Sequence, residues 1–283
     1  MNIISLRCWA RPIYTLKVLD GLRRCRGLSK YKLLISCDHY NPMIAQQLLE
    51  AVELSQIAEA VETELIFHDN HVGCAGNLKC VMQQSFDKDE DFAIFMEDDT
   101  YPAIDILEYF EQTAHLLDEY FAACSLHRPS HQLTTPISDQ IHNLVSKEWF
   151  EGANAFAINR NRYNQILEKA DIFGISYQSD KGKEYDCRGE AWLGQVIIDD
   201  KYGWDVPFEK YFRDLPCLYP VVGRTLNIGK AGFHLNFNQY MQLQYNGNWA
   251  HNPLYINKIM TPTRFNLDVQ KDNTKYFEDK CER

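Results

Sequence analysis

The sequence predicts an α/β fold in which a mostly parallel sheet is flanked by helices. Through the first 100 residues, short apolar runs alternate with longer segments of helical periodicity. That alternation is typical of parallel strands joined by crossover helices. With 283 residues and 45% hydrophobic content, the chain can bury one large core, or a core and a modest subdomain. A single catalytic unit is therefore the expectation.

The elements follow from apolar runs and their spacing. The predicted strands are residues 2–6, 32–36, 64–68, 92–96, 122–126 and 156–158. The predicted helices are residues 13–24, 42–61, 77–86, 103–119, 162–170 and 190–202. Residues 127–146 are predicted as a long loop, for which a substrate-covering role and plain surface irregularity both stay open. Residues 246–283, rich in Asn, Tyr and Pro near their start, are predicted as a wrapping tail.

Composition excludes several classes of partner. A net charge of −10 and a pI near 5.4 argue against binding to nucleic acid or to an anionic membrane. The nine cysteines are an odd number without a C-x-x-C pair, which disfavours a structural zinc site and a complete disulfide framework. No window approaches 18 apolar residues, and the N-terminal apolar stretch is too short for a signal peptide. We expect a soluble, cytoplasmic protein, with peripheral membrane association left open.

Three adjacent acids follow an apolar run and form the main candidate site. Glu97, Asp98 and Asp99 come directly after FAIFM, at the carboxyl end of a predicted buried strand. Ligands of open α/β sheets bind at such ends, and Mg²⁺ or Mn²⁺ prefers carboxylate oxygens. The acids are therefore predicted to hold a divalent cation with a nucleotide diphosphate; an acidic turn that caps the next helix is the alternative. The Asp-x-Asp-x-Thr spacing of haloacid dehalogenase phosphatases is not met.

The segment FAIFMEDDTYPAIDILEYFEQTAHLL resembles the inverting GT-A glycosyltransferases typified by N-acetylglucosaminyltransferase I and protein O-mannose N-acetylglucosaminyltransferase. The resemblance implies a Rossmann-like GT-A domain over residues 1–245, with a nucleotide-binding half to about residue 126 and an acceptor and catalytic half beyond it. It implies that Asp99 binds Mn²⁺ or Mg²⁺, and that Glu97 and Asp98 face the ribose and base of a uridine nucleotide. The implied partners are a UDP-sugar donor and a carbohydrate or glycoconjugate acceptor, with N-acetylglucosamine as one possible sugar.

Four further positions carry the likeness to the donor site. Arg11 stands where the family has an arginine that contacts the donor diphosphate or base, and Asp38 where an aspartate meets uracil. Asn77 replaces a donor-binding histidine of some relatives, and Lys79 replaces an arginine. Ordinary loop polarity is the alternative for the first two, and a solvated helix face for Lys79.

Two later segments carry the implied catalytic half. GEAWL resembles an acidic-x-Trp-Met segment, so Glu190 is the implied base, with Asp186 and Asp180 as fallbacks and a helix N-terminal acid as the alternative. YPVVGRTLNIGKAGFHLN resembles the family's closing motif, in which Arg224 or Lys230 would neutralise phosphate and His234 would bind metal or phosphate. A structural histidine is the alternative for His234. The motif's other matching residues are Thr225, Gly229 and Gly232.

Two other functions stay open on the same fold. A non-catalytic carbohydrate-binding protein would use the aromatic residues Tyr240, Tyr245, Trp249 and Tyr255 for stacking on sugar rings, although core packing explains most of them as well. A sugar nucleotidyltransferase would show a glycine-rich loop after the first strand, and LRCWARP has no glycine.

Overall fold

The structure is a computed structural model, and it describes residues 2–38, 41–69, 73–87, 91–125, 143–146, 155–168, 177–178, 184–185, 212, 215–220 and 223–229. Its strands are β1 (Asn2–Cys8), β2 (Tyr31–Cys37), β3 (Glu62–Phe67), β4 (Phe92–Glu97), β5 (Thr100–Pro102), β6 (Ala123–Cys124), β7 (Asn143–Ser146), β8 (Ala155–Asn159), β9 (Tyr177–Gln178), β10 (Glu184–Tyr185), β11 (Cys217–Pro220) and β12 (Thr225–Asn227). Its α-helices are α1 (Pro12–Arg23), α2 (Pro42–Ser55), α3 (Ile57–Ala60), α4 (Gly73–Phe86), α5 (Ile106–Thr113) and α6 (Arg160–Glu168). Short 3₁₀ helices cover Leu28–Lys30 and Ala114–Leu116.

One eight-stranded sheet organises the described part of the chain. Its strand order is β3-β2-β1-β4-β8-β6-β11-β7. Six of these strands run in one direction, and only β7 and β8 run against them. Two small antiparallel pairs, β5 with β12 and β9 with β10, stand outside the sheet. The predicted α/β class, with a mostly parallel sheet flanked by helices, is confirmed.

The first four strands create a crevice at one edge of the sheet. The chain moves outward from β1 to β2 and β3, and then returns to the other side of β1 as β4. The connections after β1 and after β4 therefore leave in opposite directions, and the strand ends between them form the place where α/β proteins bind ligands. Both strands are buried, because alternate residues pack into cores on opposite faces of the sheet.

Helices cover both faces through these alternating side chains. On one face, Ile4 and Ile94 join a cluster with Leu19 of α1 and Leu48 of α2. On the other face, the neighbouring strand residues pack with α4; this second cluster includes Ile3, Phe95, Leu78, Val81 and Met82.

Several boundaries differ from the sequence-based expectation: helix α4 begins at Gly73 rather than residue 77, and three other differences have a reason that the structure shows. The predicted helix over residues 42–61 is two helices, because Gln56 adopts the left-handed conformation at φ 55° and interrupts the hydrogen-bond ladder. Helix α5 begins at Ile106 rather than residue 103, because Thr100–Pro102 forms strand β5. The last four residues of the predicted 127–146 loop form β7, which pairs with β11.

Other predictions fall partly or wholly outside the described residues. These include the helix over residues 190–202, the remainder of the long loop and the tail over residues 246–283. Within the described residues, seven cysteines are free and none forms a disulfide. Over the same ranges, no helix combines the length and apolar character needed to cross a bilayer.

Candidate functional site

The acidic run lies at the carboxyl end of β4, beside the end of β1. Glu97 is the last residue of β4 and pairs in register with Arg7 of β1. Asp98 and Asp99 follow in the turn toward β5 and are 1% and 8% exposed, respectively. Carboxylates with so little contact with water need positive or hydrogen-bonding partners. For Asp98 and Asp99, such partners come from the segment that follows β1.

Arg11 provides the positive charge from across the crevice. It is the residue before α1, which begins with Pro12 at its first position, so the end of β1 and the start of α1 fix its place. Its guanidinium contacts Asp98 through Nη2, and donates through Nη1 to Asp99 Oδ2 at 2.7 Å. The backbone N–H of Trp9 donates to Asp98 Oδ2 at 3.2 Å. The segments after β1 and β4 are thus joined by a buried ion-pair network.

The electrostatics of this network are dominated by burial. Burial raises the pKa of Asp98 to about 6, because the attraction of Arg11 and the Trp9 N–H offset the loss of water only in part, and Asp99 adds repulsion. For Arg11, burial lowers the pKa, but Asp98 and then Asp99 outweigh it, so its pKa is raised. Arg11 therefore stays charged, and the two aspartates share one guanidinium.

Asp99 is held on its other side by a distant segment of the chain. Strand β12 pairs with β5, and the N–H of Ile228 donates to the backbone oxygen of Asp99 at 2.8 Å. A Cβ added to Gly229 would lie 2.2 Å from Asp99 Oδ2, so only glycine fits at this approach. Asn227 Oδ1 accepts from the N–H of Gly229 at 2.8 Å, which fixes the turn. The structure thus brings Gly229 of the predicted closing motif to the acidic run.

The fit of a divalent cation can be tested on Asp99. Its Oδ1 is buried and has no hydrogen-bond partner in the described part of the chain, so the carboxylate has one oxygen that could bind a cation. Among the described residues no cluster of three His, Cys, Asp or Glu side chains could ligate a metal. Mg²⁺ and Mn²⁺ sites on substrate phosphates need only one or two protein carboxylates, so Asp99 fits such a cation. His234 lies outside the described residues.

Glu97 has a partner that the sequence prediction missed. Arg7 Nη2 lies 3.3 Å from Glu97 Oε1, and Arg7 Nη1 lies 3.8 Å from Cys74 Sγ at the start of α4. The Arg7 side chain is almost fully buried, whereas Glu97 is partly accessible. The available signal was the one charged residue in the strand NIISLRC. Arg7 holds the Glu97 carboxylate at the crevice edge.

The remaining donor-site candidates lie in different surroundings. Asp38 follows β2, is buried, and donates its backbone N–H to Cys8 O at 3.0 Å. Asn77 on α4 is buried and accepts from Ser36 Oγ at 2.6 Å. Lys79 is exposed on α4, and no contact between it and the acidic run is seen in the described ranges.

Arg224 lies in the protein core rather than at the acidic run. It is fully buried, and its Nε lies 3.5 Å from Asp105 Oδ2. Burial lowers its pKa, which Asp105 counteracts. Its backbone N–H donates to Ser125 O at 2.7 Å and its oxygen accepts from Ala103 N–H at 2.8 Å. This placement gives no support to a direct phosphate contact by Arg224 and indicates a role in anchoring β12.

The candidate base Glu190 and its fallbacks Asp180 and Asp186 lie outside the described residues, as does Lys230. Their roles therefore remain predictions. Arg11, Asp98, Asp99 and Gly229 are the residues that the structure brings together.

Comparison with known proteins gave structural likeness alone. No protein-family model and no curated protein sequence matches the chain. The mannosyltransferase PcManGT from Pyrobaculum calidifontis, solved with GDP-Man and Mn²⁺, is similar at 14% identity over 60% of this chain and 46% of that one, with a TM-score of 0.43. The galactosyltransferase LgtC, solved with donor and acceptor sugar analogues, is similar at 10% identity over 67% of this chain and 68% of that one, with a TM-score of 0.41. The glycosyltransferase GlyE of Streptococcus pneumoniae is similar at 12% identity over 94% and 66%, with a TM-score of 0.41.

The chain thus spans less than half the length of the mannosyltransferase that it matches. At these identities and TM-scores, the class of fold rests on the strand order and directions of the sheet itself.

Proposed function

We propose that this protein is a divalent-metal-dependent glycosyltransferase of the GT-A type, which takes a sugar from a nucleotide-diphosphate donor. The observation that carries the proposal is the meeting of Arg11, Asp98, Asp99 and Gly229 at the crevice between β1 and β4. A buried carboxylate with an oxygen that has no partner among the described residues, a charged guanidinium and a glycine that lets the backbone approach closely together suit a metal-bound diphosphate.

Each residue of this group has a distinct part in the proposal. Asp99 would hold Mn²⁺ or Mg²⁺, with His234 as a second ligand. The bound cation would supply positive charge to the leaving diphosphate. Arg11 contacts Asp99 and would add its own charge beside the same phosphates. Asp98, which accepts from the Trp9 N–H, would keep the guanidinium in that position.

The nucleoside and the acceptor complete the proposal. We assign UDP as the nucleotide, with Glu97 and Asp38 near the ribose and base, and a glycan or other hydroxyl compound as the acceptor. Glu190 would take the proton from the acceptor hydroxyl as its oxygen attacks the anomeric carbon, which gives an inverted product. N-acetylglucosamine is the proposed sugar, with a plain hexose as the alternative.

The donor site can be tested by calorimetric titration of UDP with and without Mn²⁺. We expect UDP to bind the wild type only with Mn²⁺, and Asp99→Asn to weaken that binding at least about tenfold. Asp91→Asn is the matched control, because Asp91 is an exposed aspartate that precedes the same strand, β4. If Asp99→Asn binds UDP with the wild-type dependence on Mn²⁺, the proposed metal site is wrong.

The reaction itself needs a second measurement. Incubation with UDP-sugars and a panel of glycans, followed by NMR of the anomeric proton, reports both transfer and configuration. Glu190→Gln should bind UDP and Mn²⁺ like the wild type yet lose turnover. Glycan binding without nucleotide or metal would instead indicate a non-catalytic protein, and release of pyrophosphate from a nucleoside triphosphate would indicate a nucleotidyltransferase.

A further inference from the structure

A small hydrogen-bonded group lies two to three strands away from the acidic run, at the same edge of the sheet. Ser36 is near the end of β2, His68 directly follows β3, and Asn77 lies on α4. Ser36 Oγ lies 3.0 Å from His68 Nε2 and 2.6 Å from Asn77 Oδ1. Asn77 Nδ2 donates to the backbone oxygen of Ser36 at 3.4 Å, which sets the orientation of the amide. These contacts hold the imidazole ring in place.

A count of protons fixes the tautomer of His68. The Ser36 hydroxyl has one proton, and Asn77 Oδ1 can only accept, so that proton lies between them. Ser36 Oγ must then accept from His68, and the Nε2 atom carries the ring proton. His68 Nε2 also lies 3.4 Å from Asn77 Oδ1, a second acceptor. In the neutral ring, Nδ1 is consequently a hydrogen-bond acceptor.

That acceptor has no hydrogen-bond partner in the part of the chain that the structure describes, and the His68 side chain is only partly buried. Neighbouring strands are about 4.8 Å apart, so the end of β3 lies roughly 10 Å from the end of β1. This span matches a nucleoside whose diphosphate lies at Arg11 and Asp99. The next polar side chain on the way is Asp38, at the end of β2.

We propose that His68 reads the donor nucleobase by accepting a hydrogen bond at Nδ1 from a ring N–H, with Ser36 and Asn77 as the residues that position it. The proposal rests on the proposed function, because it needs a nucleotide at the crevice. Uracil and guanine present a ring N–H, whereas the matching ring nitrogens of cytosine and adenine carry a lone pair that would face the Nδ1 lone pair. Selection for uracil or guanine follows. Asn77 thereby acts through His68 rather than by direct contact with the donor.

The test uses UDP, GDP, CDP and ADP with Mn²⁺ in calorimetric titrations of matched variants. Gln places its amide near the Nε2 position of histidine, so His68→Gln keeps the link to Ser36 and loses the Nδ1 acceptor. Asn places its amide near the Nδ1 position, so His68→Asn keeps an acceptor there. We expect UDP or GDP to bind best, His68→Gln to bind it about 3- to 10-fold more weakly, and His68→Asn to recover part of the loss. His115→Gln, the same change at an exposed histidine, should bind like the wild type.

A methylated base isolates the hydrogen bond. The wild type should bind N3-methyl-UDP, or N1-methyl-GDP if GDP is preferred, more weakly than the parent nucleotide, and His68→Gln should not discriminate between the two. Ser36→Ala should show a reduced discrimination with an unchanged dependence on Mn²⁺. Equal discrimination by His68→Gln and the wild type would overturn the role of His68 while leaving the proposed function intact. A preference for CDP or ADP would overturn that role and the assignment of UDP, and would leave intact the proposed transfer from a nucleotide-diphosphate donor. Failure of all four nucleotides to bind would overturn both.

Discussion

Replacing Gly229 by alanine would put a methyl group into space that Asp99 already occupies. The added Cβ would lie 2.2 Å from Asp99 Oδ2, 3.0 Å from its Cγ and 3.1 Å from Asn227 Oδ1. Because favourable contacts begin near about 3.5 Å, the two groups must separate by more than about 1 Å. Asp99 Oδ2 cannot simply turn away, since Arg11 Nη1 is bonded to it at 2.7 Å. Overpacking of this kind costs about 1–3 kcal/mol of unfolding free energy.

Two measurements follow from that estimate. Thermal unfolding followed by circular dichroism should show a midpoint lower by roughly 2–12 °C, at about 2–4 °C for each kcal/mol. Calorimetry with Mn²⁺ and UDP should show binding weakened about 10- to 100-fold, because the carboxylate that would hold the cation has moved. Gly21→Ala is the control, since its Cβ would meet Pro102 Cδ at 2.8 Å and reduce stability without touching Asp99. A Gly229→Ala protein with the wild-type midpoint and the wild-type affinity would refute the reasoning.

Three other predictions concern the buried charges. Arg11→Ala leaves Asp98 and Asp99 without the guanidinium that they share and should lower the unfolding free energy in urea by about 3 kcal/mol. Arg11→Lys should lower it less. Equal unfolding free energies for the wild type and both variants would contradict the ion-pair network. The pKa of Asp98 near 6 lies above the unfolded value, so native Asp98 takes up its proton first. The unfolding free energy of the wild type relative to Asp98→Asn should therefore rise by about 2 kcal/mol from about pH 7 to about pH 4.5. A fall over this range would show that the native pKa of Asp98 is lowered rather than raised. Arg224→Ala leaves the buried Asp105 without its positive partner and should lower the unfolding free energy in urea by about 3–5 kcal/mol. The affinity for UDP should change little at temperatures where the variant is folded. A loss of affinity without a loss of stability would instead indicate that Arg224 contacts the donor.

The elements predicted correctly from the sequence are those whose own residues show a local apolar pattern. Strands β1, β2 and β4 are mostly apolar, and their positions were predicted to within about two residues at each end. Strands β5 and β12 have three residues each, and they exist because they pair with each other across more than a hundred residues. Local propensity cannot predict a pairing between segments so far apart in the sequence. The left-handed Gln56 was missed for a similar reason, since apolar spacing continues across it.

The charged residues of the site could be predicted from the sequence, but the contacts between them could not. The position of the acidic run after an apolar strand was visible, and so was an arginine after the first strand. That one guanidinium bridges Asp98 and Asp99 depends on the adjacency of β1 and β4, which only the folded sheet reveals. Arg224 looked like a phosphate ligand from its glycine-rich surroundings, yet Asp105 holds it in the core. Sequence patterns do not single out His68, because its hydrogen bonds are to Ser36 and Asn77, which lie in other elements of the fold.

The contact between Ile228 and the backbone oxygen of Asp99 bears on the order of events during folding. The three acids leave the ribosome long before residues 225–229, so during synthesis the turn after β4 lacks the segment that later packs on it. Closing so long a loop is entropically costly and comes late when local contacts form first. A nascent chain would thus have the first four strands of the sheet in place while the turn after β4 still lacked β12, so the proposed cation site would be complete only after β12 had docked.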